Sequence, residues 1–234
     1  MEWLWTFPHE VEMYGHSSTN IAYKFLDIQY ILRPQTSLEV GAYDGWYSKK
    51  MRNINPTCEV IAFEGNPNVI ESFKESYHGI DLRNLAISDK TGEIDFFMGG
   101  GMDGSNGIKQ HREWIGRKPI KVPSSTLDIQ AEGKNHIAIW MDVEGANKEV
   151  LVGAKNILKN VDSMLIEVET TDYWEDQWVK DDVVEYLDAY NLVPLAEEGQ
   201  YDSCSNMIFI RKELINKEIK QLFRNFFTKT YFYL

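Results

Sequence analysis

Glu39-Val40-Gly41-Ala42-Tyr43-Asp44-Gly45 is the stretch on which the reading of this chain turns. It closes a short apolar strand, Ser37–Val40, and opens onto Trp46–Arg52, which reads as the start of a helix. Glycines at such a junction let the backbone turn tightly and approach a ligand where a Cβ would clash. The carboxylate of Glu39 suits a cationic ligand, because it accepts hydrogen bonds from an ammonium group and repels a pyrophosphate. The spacing also departs from Gly-x-Gly-x-x-Gly, since position 43 is Tyr. An ordinary strand-to-helix turn would have the same appearance.

Two further acidic strand ends narrow the ligand. Val60-Ile61-Ala62-Phe63-Glu64 ends nineteen positions beyond Gly45, where nucleoside-binding α/β domains accept the two ribose hydroxyls. An adenosine-type ligand follows from the pair; S-adenosylmethionine, with its α-ammonium and sulfonium, suits the first turn better than NAD. Ile139-Trp140-Met141-Asp142-Val143-Glu144-Gly145 places two acids and a glycine at the end of a buried strand. Asp142 can face the methionine part of the cofactor, an acceptor hydroxyl or a divalent cation. Asp142, Glu144, Glu167 and Glu169 together could supply oxygen ligands to Mg²⁺ or Ca²⁺, or serve as helix N-terminal charge; no metal ligand is assigned.

Around these motifs the pattern alternates strand and helix. A helix runs from a cap at Ser17–Thr19 through Ile21, Phe25, Ile28 and Ile31 until Pro34 stops it. Beyond the first two strands the pattern predicts a helix over Pro67–Tyr77, a strand over Asp81–Ile87 and extended chain over Glu93–Met98 and Ile120–Val122. It continues with a turn after Thr126-Leu127-Asp128, a strand over His136–Met141, a helix over Asn147–Leu158 and a strand over Ser163–Val168. A helix over Asp181–Tyr190 and strands at Leu192–Leu195 and Asn206–Ile210 complete it. Such alternation implies an α/β fold with a mostly parallel sheet covered on both faces. Residues 1–35 form an N-terminal, partly helical extension and 36–211 the main domain. Residues 212–234 carry Ile219, Leu222, Phe223, Phe226 and Phe227 at helical spacing, read as packing on the domain or on a second subunit, a homodimer being possible.

The 234 residues carry a formal net charge of −12. Wrapping a nucleic-acid backbone takes a surplus of Lys and Arg, so no nucleic-acid partner is expected. Two cysteines, Cys58 and Cys204, make neither a disulfide framework nor a zinc site, which fits a cytoplasmic protein. No transmembrane segment is read. The Gly99–Gly107 stretch lacks a Gly-Lys-Ser/Thr ending and is either a loop over the substrate or a plain surface loop.

Taken in order, the motifs resemble the FkbM-type methyltransferases, a branch of the class I S-adenosylmethionine-dependent enzymes. The resemblance is carried by residues 39–48, Ala62-Phe63-Glu64-Gly65-Asn66-Pro67, Asn84–Gly92, Thr126-Leu127-Asp128, Met141–Gly145, Val150–Ala154 and Leu165-Ile166-Glu167. It implies the Rossmann-like, seven-stranded class I fold and O-methylation of a hydroxyl on a small molecule or carbohydrate acceptor. It implies Glu39, Gly41, Ala42, Tyr43 and Gly45 around the methionine end, Glu64 at the ribose, Asn84 and Ala86 near the adenine, and Asp142 at the cofactor. Trp140 and Asn147 stand where the family commonly has Lys and an acid, and both are expected on the substrate side; Glu39 replaces the commoner Asp. For the base that takes the acceptor's proton, Asp142 ranks first, with Glu144, Glu169 and His111 behind it. Trp174 and Trp178 pack the core or stack on a flat substrate face. A nicotinamide-dependent oxidoreductase is one rival, though it should show a third glycine in the first turn. A non-catalytic module that kept the fold, suggested by Trp140 and Asn147, is the other.

Overall fold

A computed structural model describes residues 19–73, 75, 78–98, 106–113, 117–201 and 203–223. In chain order the strands are β1 (Thr36–Val40), β2 (Glu59–Glu64), β3 (Asp81–Asn84), β4 (Ala86–Ile87), β5 (Gly92–Phe97), β6 (Pro119–Ser125), β7 (Ile137–Met141), β8 (Val161–Glu169), β9 (Leu192–Tyr201) and β10 (Cys204–Arg211). The helices are α1 (Thr19–Leu32), α2 (Trp46–Ile54), α3 (Pro67–Phe73), α4 (Leu127–Gln130), α5 (Asn147–Val152), α6 (Lys180–Asp188) and α7 (Lys217–Phe223). Seven strands form one sheet in the order β3-β2-β1-β7-β8-β10-β9, parallel except for β10. The expected α/β architecture is the one observed. A smaller sheet, β4-β6-β5, which the sequence pattern does not announce, stands beside it.

The pleat sorts each strand's side chains between two cores. Leu38, Val40, Ile139, Met141, Met164 and Ile166 face a layer holding Leu127, Val150, Leu151, Val183 and Leu187 of α4, α5 and α6. On the other face Leu165, Ile208 and Ile210 meet Ile21, Phe25, Tyr47, Met51, Ile219 and Phe223 of α1, α2 and α7. Both cores are continuous apolar burial, the main driving force of folding. Helix α1 is tied in by polar contacts as well: Gln29 donates to the Ser163 hydroxyl at 3.0 Å, and the Ile21 N–H finds Glu198 Oε2 at 3.1 Å. That carboxylate satisfies a donor that a helix N-terminus leaves open.

Several boundaries differ from the sequence pattern, three of them in ways that bear on the fold. The strand predicted over Asp81–Ile87 is two strands in two sheets: the Leu85 N–H donates to the Glu64 carbonyl at 3.0 Å as the last rung on β2, and Ala86 already pairs with Ser124 of β6. The helix predicted over Asn147–Leu158 stops at Val152. A Cβ at Gly153 would stand 2.2 Å from the Ser88 carbonyl oxygen, and Asp128 Oδ1 takes the N–H groups of Asn156 and Ile157, leaving a 3₁₀ turn over Ile157–Asn160. Strand β9 runs six residues beyond Leu195 as the partner of β10. The Ser17 cap, Tyr77, Gly99–Gly101, Gly104, Phe226 and Phe227 lie outside the described residues. Among the described residues no helix is long and apolar enough to cross a membrane.

Phe25, fully buried with its ring 5.7 Å from that of Tyr47, tests whether α1 is part of the cooperative unit. Phe25→Ala should cost about 3–5 kcal/mol, read as a lower urea midpoint in a single transition. An unchanged midpoint would show that α1 does not belong to the folding unit.

Candidate functional site

Chain order reverses at β1: β2 and β3 lie to one side and β7 to the other. Open α/β sheets bind ligands at such a switch point, beyond the carboxyl ends of the strands. There the Gly41 and Ala42 N–H groups both donate to the Phe63 carbonyl, at 3.1 and 3.0 Å, while the Asp142 N–H donates to the Val40 carbonyl at 3.0 Å. Gly41 has φ +82°, and a Cβ on it would lie 1.8 Å from the Asp142 carbonyl oxygen, so no other residue fits. Tyr43 also takes a left-handed φ, 44°, and thereby aims its N–H at Glu64 Oε2, 2.9 Å away.

A cavity of about 210 Å³ opens at this point. Of the residues singled out from the sequence, Gly41, Tyr43, Glu64, Ala86, Asp142 and Glu144 stand on its wall. Glu64 is held by Tyr43 and by the Asn66 N–H on Oε1 at 2.7 Å. A carboxylate has about four lone-pair sites, so Glu64 keeps capacity for hydroxyl donors. Burial pushes the Glu64 carboxyl above its ordinary range. Leu85, Ala86 and Ile87 line the next stretch of wall, with Phe96 of the small sheet beside them.

Glu39, Ala42, Gly45, Asn84 and His111 are placed elsewhere than on that wall. In β1 the pleat gives Leu38 and Val40 to one face and Glu39 to the other, beneath α2. There the Glu39 oxygens accept from the N–H groups of Tyr47 at 3.2 Å and Ser48 at 2.9 Å. It is 3% exposed, and burial pushes its carboxyl up to about 8. Glu39 therefore fixes the start of α2 and with it the far side of the turn. Ala42 packs on Ala62, and Gly45 precedes α2 with φ 70°. Asn84 donates to the Glu64 carbonyl at 2.8 Å and so positions the wall from behind. His111 stacks on Tyr173 with centroids 6.0 Å apart, and partial burial lowers its pKa.

The acids beyond β7 form the other side. Burial and the nearby charge of Glu64 push the Asp142 carboxyl up. Oxygens of Asp142, Glu144 and Glu167 lie within 4.8 Å of one another, a span one cation could bridge. Burial, then the charges of Asp142, Glu144 and Glu169, raise Glu167 strongly, and burial raises Glu169 to about 7. Gly145, at φ 78°, is a glycine because Trp174 lies against it: a Cβ would meet the indole at 2.3 Å. Trp174 is 4% exposed and Trp178 packs on Tyr186, so both belong to the packing. Neither Trp140 nor Asn147 lines the cavity. Trp140 stacks on Tyr47 at 5.0 Å under α1 and α2, by the same strand parity that hides Glu39. Asn147 is 2% exposed and donates to the Glu167 carbonyl at 2.8 Å.

The wall has further members, among them the end of the Gly99–Gly107 stretch that the sequence reads as either a loop over the substrate or a plain surface loop. Asn106, Gly107 and Ile108 close it from a segment that pairs with β5 through Gly107 and Phe97. Phe96 looked like an ordinary strand residue; nothing local marks it.

A parallel sheet in this strand order, with its one reversed strand, its glycine turn at the switch point and an acid closing β2, is the class I methyltransferase fold. The chain belongs to the FkbM methyltransferases: the model of the "Methyltransferase FkbM domain" matches residues 39–202. The family's methyl donor is S-adenosylmethionine, and a nicotinamide-dependent activity is not favoured. Among curated proteins, the 2-O-methyltransferase NoeI of Sinorhizobium fredii (strain NBRC 101917 / NGR234) is 27% identical over 181 residues, 69% of this chain and 74% of that one. Solved structures with a related fold include the precorrin-6y C5,15-methyltransferase of Geobacter metallireducens GS-15, 10% identical with a TM-score of 0.48, covering 88% of this chain and 94% of that one. Another is the 1,6-didemethyltoxoflavin-N1-methyltransferase of Burkholderia thailandensis with bound S-adenosylhomocysteine, 12% identical with a TM-score of 0.44, covering 84% and 79%.

The raised carboxyls set the pH dependence of the ligand-free protein. A folded pKa above the unfolded one means the native state holds the extra proton, so its stabilisation is complete below the ordinary carboxylate range. It is lost as the pH rises through about 7 for Glu169 and about 8 for Glu39. The urea midpoint should therefore fall between about pH 6 and 9; a midpoint that climbs over this range would contradict the site's electrostatics.

Proposed function

We propose that this chain transfers the methyl group of S-adenosylmethionine to a hydroxyl oxygen of a small molecule or carbohydrate. The observation that carries this reading is the pair of carboxylates, Glu64 and Asp142, facing one cavity at the switch point of the sheet. An acidic, part-buried cavity favours a ligand that is itself cationic. The similarity to a 2-O-methyltransferase supports oxygen as the accepting atom.

In this reading Glu64 accepts the ribose hydroxyls, and the wall formed by Leu85, Ala86 and Ile87 takes the flat adenine. The backbone at Gly41 and Tyr43 faces the methionine end. When bound, S-adenosylmethionine supplies a methyl group activated by its sulfonium. The protein's part is to align the acceptor oxygen in line with that methyl, worth several orders of magnitude in rate, and to accept the acceptor's proton. Asp142 is the base: it stands on the wall, and its raised carboxyl is better matched to proton transfer near neutral pH than an ordinary aspartate. Glu144, on the same wall, is its neighbour in that role, whereas His111 lies off the wall and has none. Glu39 acts through the turn rather than by contact.

Two variants test this, with methyl transfer to a panel of hydroxylated oligosaccharides followed by mass spectrometry and S-adenosylhomocysteine release. Glu64→Ala should weaken binding of S-adenosylhomocysteine in calorimetry by about 10–100-fold while the protein stays folded. Asp142→Asn should lower kcat by about 10²–10⁴-fold. Full turnover by Asp142→Asn would remove it as the base, and undiminished binding by Glu64→Ala would remove the cofactor assignment.

A further inference from the structure

Residues 106–113 form a strap that supplies the cavity's outer wall through Asn106, Gly107 and Ile108. Its backbone rests on the acidic motif: a Cβ on Gly107 would touch the Glu144 Cβ at 3.4 Å and the Val143 carbonyl at 3.5 Å. The next residue, Lys109, is a lysine only 9% exposed. Its ammonium lies 2.6 Å from Glu149 Oε1 and donates to the Asp176 carbonyl at 3.0 Å. A buried cation is tolerated only where such partners replace water.

The partners are placed where they matter. Glu149 lies in the first turn of α5, the helix that grows directly out of Asp142–Ala146. Asp176 has a left-handed backbone, φ 52°, and its carboxylate is held by Lys148 at 2.6 Å, so its carbonyl is presented to Lys109 from an anchored turn. Further along, the strap is stitched to the same turn, with the Arg112 N–H donating to Tyr173 at 2.8 Å and the Glu175 N–H to Gln110 at 3.1 Å. One side chain thus joins the outer wall of the cavity to the helix that follows directly on its inner wall, Asp142–Ala146. The Glu149 Oε2 atom is buried without a hydrogen-bond partner, so loss of Lys109 would leave that carboxylate still less compensated.

We propose that Lys109 is a positioning residue that latches residues 106–111 over the bound ligand, so that release of the ligand requires the Lys109–Glu149 pair to open. The proposal rests on the cavity being the S-adenosylmethionine site. A latch acts on departure more than on arrival, because the closed wall must part before the ligand leaves.

Stopped-flow association and dissociation of S-adenosylhomocysteine from the full chain test it. Lys109→Met should speed dissociation by about tenfold or more, with association changed by no more than about threefold. Lys109→Arg, which keeps a cation and N–H donors, should lie closer to wild type than to Lys109→Met. A merely structural lysine would lower the melting temperature without separating the two rates. Should Lys109→Met fail to fold, Glu149→Gln removes the charge and keeps the shape, and it should also accelerate dissociation. Wild-type dissociation rates in the folded variants overturn the latch while leaving the cavity's ligand intact. Failure of the wild-type chain to bind S-adenosylhomocysteine at all removes the cavity assignment, and the latch falls with it.

Discussion

Two strand ends approach so closely that a β-carbon at position 41 would stand 1.8 Å from the Asp142 carbonyl oxygen. The rest of the site depends on that contact. With only a hydrogen in the way, the chain leaving β1 passes between β2 and β7, and the Gly41 and Ala42 N–H groups share the Phe63 carbonyl. The turn then delivers the Tyr43 N–H to Glu64 and sets α2 on the carboxylate of Glu39. Glu64 and Asp142 consequently face the same cavity from the two strands that flank β1, and a helix starts behind each of them.

Such an arrangement concentrates negative charge where water is scarce. Glu39 meets this by accepting two backbone N–H groups, and Glu64 does the same. Asp142, Glu144 and Glu167 lie close together; burial and the charge of Glu64 raise Asp142, and burial with the charges of Asp142, Glu144 and Glu169 raises Glu167. Proton or cation, something positive must accompany them. The acidity of this edge and its suitability for a sulfonium are therefore one property seen from two sides.

Most of the architecture is legible in the sequence because it rests on local pattern. Apolar runs such as Ile137–Met141 admit little besides a buried strand, and Gly41 with Gly45 marks the turn after β1. The motifs at 39–45, 60–64 and 139–145 were correctly located at the carboxyl edge. What each side chain faces was less legible. The alternation of Leu38, Glu39 and Val40 says that Glu39 opposes its neighbours, but only the packing of α2 tells which face carries the ligand. Trp140 is the same case, read as a substrate-side departure and found stacked on Tyr47. The break at Leu85 is hidden because apolar residues continue the pattern across it while the partner strand changes from β2 to β6. The Lys109–Glu149 pair spans forty positions, and no local signal joins its ends.

Helix α1 lies wholly outside the stretch that matches the family, 39–202, and so does α7. Yet Phe25 and Phe223 are as buried as any strand residue, and a core hydrogen bond joins Gln29 to β8. The limits of ancestry and the limits of the folding unit therefore do not coincide. Removing α1 and α7 would turn Leu165, Ile208 and Ile210 toward solvent and leave a wide sticky face on the sheet. In this chain α1 and α7 are therefore structural parts of the domain, holding that face of the sheet away from water.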